Sequence, residues 1–227
     1  MQLTYYGHSC FHIEINGYKL LFDPFITPNV LAKNIDIHKI QADYILLSHG
    51  HMDHVADAVL LAKHTGATVI GSWEVVNWIN AQGVKKTHSM NTGGQFDFPF
   101  GIVKCVVAQH SSGLPDGSYG GNPMGFIIYS RQGNFYYSGD TALTLDMQLI
   151  PKWVKLDFAI LPIGDNFTMG YKDAVVAAEI IECKRIMGVH YNTFEWIKID
   201  TSAAHKAFAD KKIELLLPAI GETISLK

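Results

Sequence analysis

The segment Tyr44-Ile45-Leu46-Leu47 constrains the fold of this chain more than any other. Four consecutive apolar residues, too few for a helix and without the alternation of a half-exposed strand, read as a strand covered on both faces. The run stops at Ser48, and the next six residues are His49-Gly50-His51-Met52-Asp53-His54. A strand buried on both sides therefore delivers a cluster of polar, chemically versatile side chains to a sheet edge.

The surrounding pattern extends this layered reading. Residues 3–6, 11–15 and 18–22 read as strands, the last two joined through Asn16-Gly17 as a hairpin, and Pro24 and Pro28 break the loop that follows. Residues 55–63 carry apolar side chains at Val55, Val59, Leu60 and Ala62 and meet a stop at Gly66, which predicts a helix with one face on the sheet. Residues 68–71 follow as a strand and 74–81 as a second helix ended by Gly83. The stretch 84–140 is β-rich, with strands expected at 101–108, 124–130 and 134–138 and a glycine, serine and proline loop over 111–123. Alternation returns with strand 158–162, helix 173–183, strand 186–189, helix 202–209 and strand 214–218. No residue-level repeat exists, but the course of elements is doubled. Two such halves closing face to face predict an α/β fold, a four-layer αββα sandwich formed as a single domain over 1–227, with strand ends from both halves at one edge.

Composition narrows the function classes. At 48% hydrophobic and 17% charged residues the chain belongs with packed domains, and it contains no apolar run of about 18 residues to span a bilayer. The opening Met1-Gln2-Leu3-Thr4-Tyr5-Tyr6-Gly7-His8 lacks a basic segment followed by an apolar stretch, so a cytoplasmic location is expected. Cys10, Cys105 and Cys183 are scattered and odd in number, which argues against a disulfide framework. A net charge of -3, with Arg131 and Arg185 the only arginines, makes nucleic acid a poor partner. Histidine, present 11 times, is the unusual feature.

Imidazole nitrogens and carboxylate oxygens suit Zn²⁺ and its neighbours, and a tight loop can aim alternate side chains at adjacent positions. Further candidates follow other strands: His110 after Val106-Val107-Ala108-Gln109, Asp140 within Tyr137-Ser138-Gly139-Asp140-Thr141, and His190 after Ile186-Met187-Gly188-Val189. The residues alone suggest a nitrogen and oxygen ligand cluster without dividing it among ions.

The hexapeptide 49–54 resembles the signature of the metallo-β-lactamase superfamily, and His110, Asp140 and His190 fill that family's remaining ligand positions in order. The resemblance implies two divalent metal ions, zinc first and manganese or iron as alternatives. It places His49, His51 and His110 on one ion, Asp53, His54 and His190 on the other, and Asp140 between them. Two divalent cations, two carboxylates and one bridging hydroxide leave about one positive charge, which suits an anionic or polarised substrate. Zinc can bring the pKa of bound water to about 7, so that hydroxide is the implied nucleophile, with Asp53 orienting it.

Within the superfamily, Tyr6-Gly7-His8-Ser9-Cys10-Phe11, Phe22-Asp23-Pro24 and Pro162-Ile163-Gly164-Asp165-Asn166-Phe167-Thr168-Met169-Gly170 are similar to one branch. It comprises small stand-alone metal-dependent hydrolases related to ascorbate-6-phosphate lactonase and, more distantly, to a phospholipase D that cleaves N-acyl phosphatidylethanolamine. That likeness implies that His8 contacts substrate or polarises its oxygen, against the plainer role of a turn histidine. Asp23 is either a partner that fixes the tautomer of a metal-bound imidazole or, more plainly, an Asx-turn residue before Pro24. Asp165 and Asn166 either reach the cleft or are ordinary loop residues. The loop carrying Ser112, Tyr119, Gly120 and Gly121 is expected to cap the substrate. Cys10 is expected to pack as a small buried residue, and His12, His38, His64, His88 and His205 fit no ligand position.

The expected function is hydrolysis of a small ester, lactone or phosphodiester. The motif loops contain almost no lysine or arginine, which weakens a sugar-phosphate substrate. An RNA-processing nuclease of the same superfamily is the alternative enzyme, without the basic arm it would need. A di-iron redox protein of the flavodiiron kind would place glutamate at position 51 and add a flavin domain. A non-catalytic metal-binding protein and a homo-oligomer both stay open at this stage.

Overall fold

The computed structural model describes residues 1–226. Its first half runs through β1 (Gln2–Gly7), β2 (Cys10–Ile15), β3 (Tyr18–Phe22), β4 (Tyr44–Leu46), α1 (Met52–Val55), α2 (Ala58–Thr65), β5 (Thr68–Ser72), α3 (Trp73–Ala81) and β6 (Thr87–Met90). The second half begins with β7 (Gln95–Phe98), β8 (Gly101–Val107), β9 (Met124–Tyr129) and β10 (Phe135–Tyr137). It continues with α4 (Ile150–Trp153), β11 (Phe158–Pro162), α5 (Tyr171–Ile180), β12 (Arg185–Val189), α6 (Thr201–Asp210) and β13 (Glu214–Leu216). A last strand, β14 (Thr223–Ser225), returns to pair antiparallel with β1, so the chain's end is stitched into the first sheet. The two seven-stranded sheets have mirrored orders, β14-β1-β2-β3-β4-β5-β6 and β13-β12-β11-β10-β9-β8-β7.

Strand alternation builds the layers. In β4, Leu46 points into the core between the sheets, while its neighbours Ile45 and Leu47 pack outward with Leu61 of α2 and Val75 and Ile79 of α3. In β11, Phe158 and Ile160 face the middle, and Ala159 and Leu161 lie under Ala174 and Ala178 of α5 and Phe208 of α6. The middle is aromatic: Phe22 stacks on Phe11 at 4.5 Å between centroids and meets Phe135 and Tyr137 edge-on at 6.0 and 5.6 Å. Each buried phenyl ring of this kind contributes about 1.5–3 kcal/mol by leaving water. The four-layer αββα sandwich expected from the doubled pattern is the fold observed.

The expected helix over 55–63 is divided, because α1 ends at Val55 and α2 begins at Ala58. The cause is tertiary: the Asp57 carboxylate turns away to accept the backbone N–H groups of Ile26 and Thr27 at 2.7 and 2.8 Å. The stop at Gly66 holds, with φ of 72° at the helix C-cap. No helix among the described residues is long and apolar enough to cross a membrane.

Strand direction places the site. β3 runs parallel to β4, and β1 shares their sense because β2 lies antiparallel to both β1 and β3. By the same parity β8, β10, β11 and β12 run one way. The C-terminal ends of these strands carry His8, Asp23, the 49–54 segment, His110, Asp140 and His190, which the two sheets therefore bring to one edge.

Candidate metal centre

After β4 the chain bends at Ser48, is extended at His51, whose φ and ψ are -64° and 148°, and then makes the single turn α1. This switch from extended to helical backbone turns His49 and His51 one way and Asp53 and His54 another. The first pair, with His110, forms one group of ligand atoms all within 4.8 Å of one another; His8, Asp53, His54 and His190 form a second. His49 Nε2 lies 3.0 Å from His51 Nδ1. One oxygen of Asp140 joins the groups: its Oδ2 is 3.0 Å from His190 Nε2, 3.2 Å from His54 Nε2, 3.7 Å from His110 Nε2 and 4.0 Å from His49 Nε2. All seven expected ligand residues thus meet at one place.

The donor chemistry fits divalent cations. His54 Nε2, which faces the shared Asp140 oxygen, is buried without a hydrogen-bond partner, although buried polar atoms normally have one. Imidazole nitrogens converging on a carboxylate are the donors zinc takes. Electrostatics agree. Burial would lower His190, but Asp140 beside it raises it to about 9. Burial likewise opposes a charge on His54, yet Asp140, Asp23 and Asp53 hold it well above the ordinary imidazole value. Burial would push the carboxyls of Asp53 and Asp140 up, and the surrounding histidines hold both well below the usual carboxylate range. In His49, burial outweighs Asp140 and pushes the ring well down.

Asp23 sits at the end of β3 with φ of 40°, fully buried. Its carboxylate accepts the Ser48 N–H at 2.8 Å, the Ser48 hydroxyl at 2.6 Å, His54 Nδ1 at 2.8 Å and the hydroxyl of Tyr137. It forms no Asx turn; it is the anchor of the His54 ring. Since the Ser48 hydroxyl donates to Asp23, it accepts from His49 Nδ1 at 2.9 Å, so one carboxylate fixes the tautomers of two histidines. Gly139, at φ of 62°, lets Asp140 approach, because a Cβ there would meet Ser48 Cβ at 2.8 Å and the Met124 carbonyl at 3.0 Å.

His8 has a fully buried side chain with both ring nitrogens engaged, Nε2 by Asp53 Oδ2 and Nδ1 by Thr193 Oγ, each at 3.0 Å. Burial, then His190, lowers its pKa to about 4. No ring nitrogen is left for a substrate oxygen, so His8 reaches the chemistry through Asp53. Asp165 and Asn166 are exposed and bonded within their own loop, where the Asp165 carboxylate accepts the Asn166 N–H at 2.8 Å. That loop touches the residue after Asp140, through the Met169 N–H to the Thr141 carbonyl at 2.9 Å, but no hydrogen bond or ion pair among the described residues links Asp165 or Asn166 to the cluster. The 111–123 loop is tied to the site, since Ser112 Oγ accepts the Gly50 N–H at 3.0 Å and Ser111 Oγ lies 3.3 Å from His51 Nε2. Cys10 is buried and its thiol is pushed up by burial, which suits a packing role. A cleft of about 770 Å³, lined by Asn16, Gly101 and Asn134, lies at the opposite edge and contains none of the ligand residues.

Sequence reading missed Ser48, Tyr137 and Thr193. Ser48 and Tyr137 stand next to motifs, and that adjacency was their signal; nothing marks Thr193.

Comparison with known proteins places this architecture in a class. The model of the Beta-lactamase superfamily domain matches residues 2–190. A UPF0173 metal-dependent hydrolase of Christiangramia forsetii is 51% identical over 227 residues, covering 100% of both chains. Another, of Flavobacterium johnsoniae, is 50% identical over 226 residues, again covering 100% of both. Among solved structures, Igni18, a metallo hydrolase from Ignicoccus hospitalis, superposes with a TM-score of 0.87 at 30% identity over 98% of this chain and 97% of that one. The isothiocyanate hydrolase from Delia radicum gut bacteria, 19% identical with a TM-score of 0.77 over 100% of this chain and 99% of its own, shares the fold. The chain belongs to the UPF0173 family of metal-dependent hydrolases.

Proposed function

We propose that this chain hydrolyses an uncharged ester or lactone at a centre of two divalent ions, zinc in the first instance. His49, His51 and His110 would hold one ion and Asp53, His54 and His190 the other, with Asp140 shared. The observation that carries this reading is the single Asp140 oxygen within 4.0 Å of imidazole nitrogens from both groups. When bound, the ions supply Lewis acidity, which activates water near neutral pH and stabilises charge on a polarised oxygen.

The chain's own residues supply the rest. Asp23 and Ser48 turn the lone pairs of His54 and His49 inward, so the ligands are oriented before anything binds. Asp53 is the more open of the two carboxylates, 25% exposed against 3% for Asp140. It is therefore the group placed to orient the attacking water.

The rim favours an uncharged substrate. Met52, between two ligand residues, is 54% exposed, and Phe194, whose ring lies 5.3 Å from that of His8, is 38% exposed. The stretches 47–57, 108–123, 139–149 and 190–197 contain no lysine or arginine, and Lys198 is engaged by Glu195. Of the anionic or polarised substrates that the formal charge of the centre admits, this rim supports the polarised, neutral kind.

The test compares zinc-loaded enzyme on p-nitrophenyl butyrate, a simple aliphatic lactone and bis(p-nitrophenyl) phosphate. Faster turnover of the ester or lactone is expected, with Asp53→Ala lowering kcat by a factor on the order of 10² or more. Preference for the phosphodiester would overturn the substrate class, and full activity in Asp53→Ala would overturn the mechanism.

A further inference from the structure

We propose that Thr193 is a positioning residue for this hydrolysis: its hydroxyl is hydrogen-bonded to Nδ1 of His8 and so holds in place the ring whose Nε2 restrains Asp53. The inference rests on the reading above, in which Asp53 serves one ion and orients water.

Asp53 stands on a helix of one turn at the open mouth of the site, where its side chain needs an external restraint. His8 Nε2, 3.0 Å from Asp53 Oδ2, provides one. An ionised carboxylate only accepts, so Nε2 carries the hydrogen. A neutral ring then presents a bare Nδ1, and Thr193 Oγ lies 3.0 Å from it. The other acceptor for that hydroxyl, the Tyr191 carbonyl, is at 3.4 Å, so the shorter and better bond is to His8.

The remaining contacts hold the backbone and the faces of the ring and leave its Nδ1 end to Thr193. His8 has φ of 55°, a conformation non-glycine residues rarely adopt, and its carbonyl is pinned by the His190 N–H and the Tyr5 hydroxyl, both at 3.0 Å. Phe25 and Phe194 pack edge-on against the ring at 5.5 and 5.3 Å. These contacts are indifferent to the tautomer. Among the described residues, Thr193 alone is hydrogen-bonded to Nδ1, while the acceptor-only Asp53 carboxylate sets the tautomer. Without it, a buried ring nitrogen loses its partner, and moving the proton to Nδ1 leaves two acceptors facing each other at Asp53.

The experiment uses zinc-loaded wild-type protein, Thr193→Val, which keeps the shape and loses the hydroxyl, and Thr193→Ser, which keeps the hydroxyl. Three properties are measured: the His8 tautomer by long-range ¹H–¹⁵N correlation, assigned through His8→Gln; zinc affinity by chelator competition; and kcat and KM on p-nitrophenyl butyrate. In Thr193→Val the Nε2–H pattern is expected to persist, because Asp53 still requires a donor there, and the weaker zinc to bind about 10–100-fold less tightly. Its kcat is expected to fall on the order of tenfold with KM little changed, and Thr193→Ser to behave as wild type. A Thr193→Val variant with wild-type zinc affinity and kcat would overturn this inference alone, as would a Thr193→Ser variant as impaired as Thr193→Val. Wild-type protein that fails to bind zinc would instead remove the reading on which the inference rests.

Discussion

Asp23 concentrates much of the site's order in one side chain. It organises two histidine rings and the Tyr137 hydroxyl, yet it sits outside both ligand groups drawn around the proposed ions. Asp23→Asn would put an amide donor among donors, and breaking a buried network of this kind costs about 3–5 kcal/mol. A urea midpoint for the metal-free variant equal to that of wild type would disprove the anchor role. His54 and His190 give a pH signature. Both are raised in the metal-free chain, His190 to about 9, so at pH 7 both carry protons that ligation must expel. The pairing of His190 with Asp140 stabilises the metal-free chain fully below the ordinary imidazole pKa of about 6.5 and is lost as pH rises through about 9. Calorimetry of zinc binding at pH 7 in buffers of different ionisation enthalpy is expected to show release of about two protons, and no release would refute this. The ligand residues were legible because they stand at strand ends in compact motifs. Asp23 was legible only as one of two alternatives, because its donors come from positions 48, 54 and 137, which only the folded chain brings together.

At the scale of elements, the buried strands and long helices could be read from their periodicity, and the short edges could not. β6 and β7 have four residues each and β14 three, too short for a period to stand out from the flanking loops. They take extended form because a neighbouring strand offers them a ladder. The break between α1 and α2 was hidden for a similar reason, since the groups that capture Asp57 lie some 30 residues earlier. Turns at the site carry demands of their own. Gly139→Ala is expected to displace Asp140, through both its positive φ and the contact at 2.8 Å with Ser48, and to lower zinc affinity as well as stability. Unchanged zinc binding in that variant would contradict the close approach. Asp200, which caps α6 by accepting from the N–H groups of Ser202 and Ala203, is the control outside the ligand set. Asp200→Ala should lower unfolding stability by about 1 kcal/mol and leave metal content as it was.

At the scale of the molecule, the site lies on the seam between two sheets. His49, His51, Asp53 and His54 come from the first sheet's side, and His110, Asp140 and His190 from the second's. Ions held there would tie the halves together and raise the stability of the whole. At a free zinc concentration about 100 times the dissociation constant, each site adds about 2.7 kcal/mol. For a chain of this size, chelation should lower the melting midpoint by about 5–10 °C per site. Metal counting tests the shared centre most directly: protein loaded with excess zinc, desalted and measured by elemental analysis, beside Asp140→Ala treated identically. Two zinc ions per wild-type chain are expected, with one or fewer in Asp140→Ala. One ion or none in the wild type, or two retained without Asp140, would contradict a centre built around that bridging carboxylate.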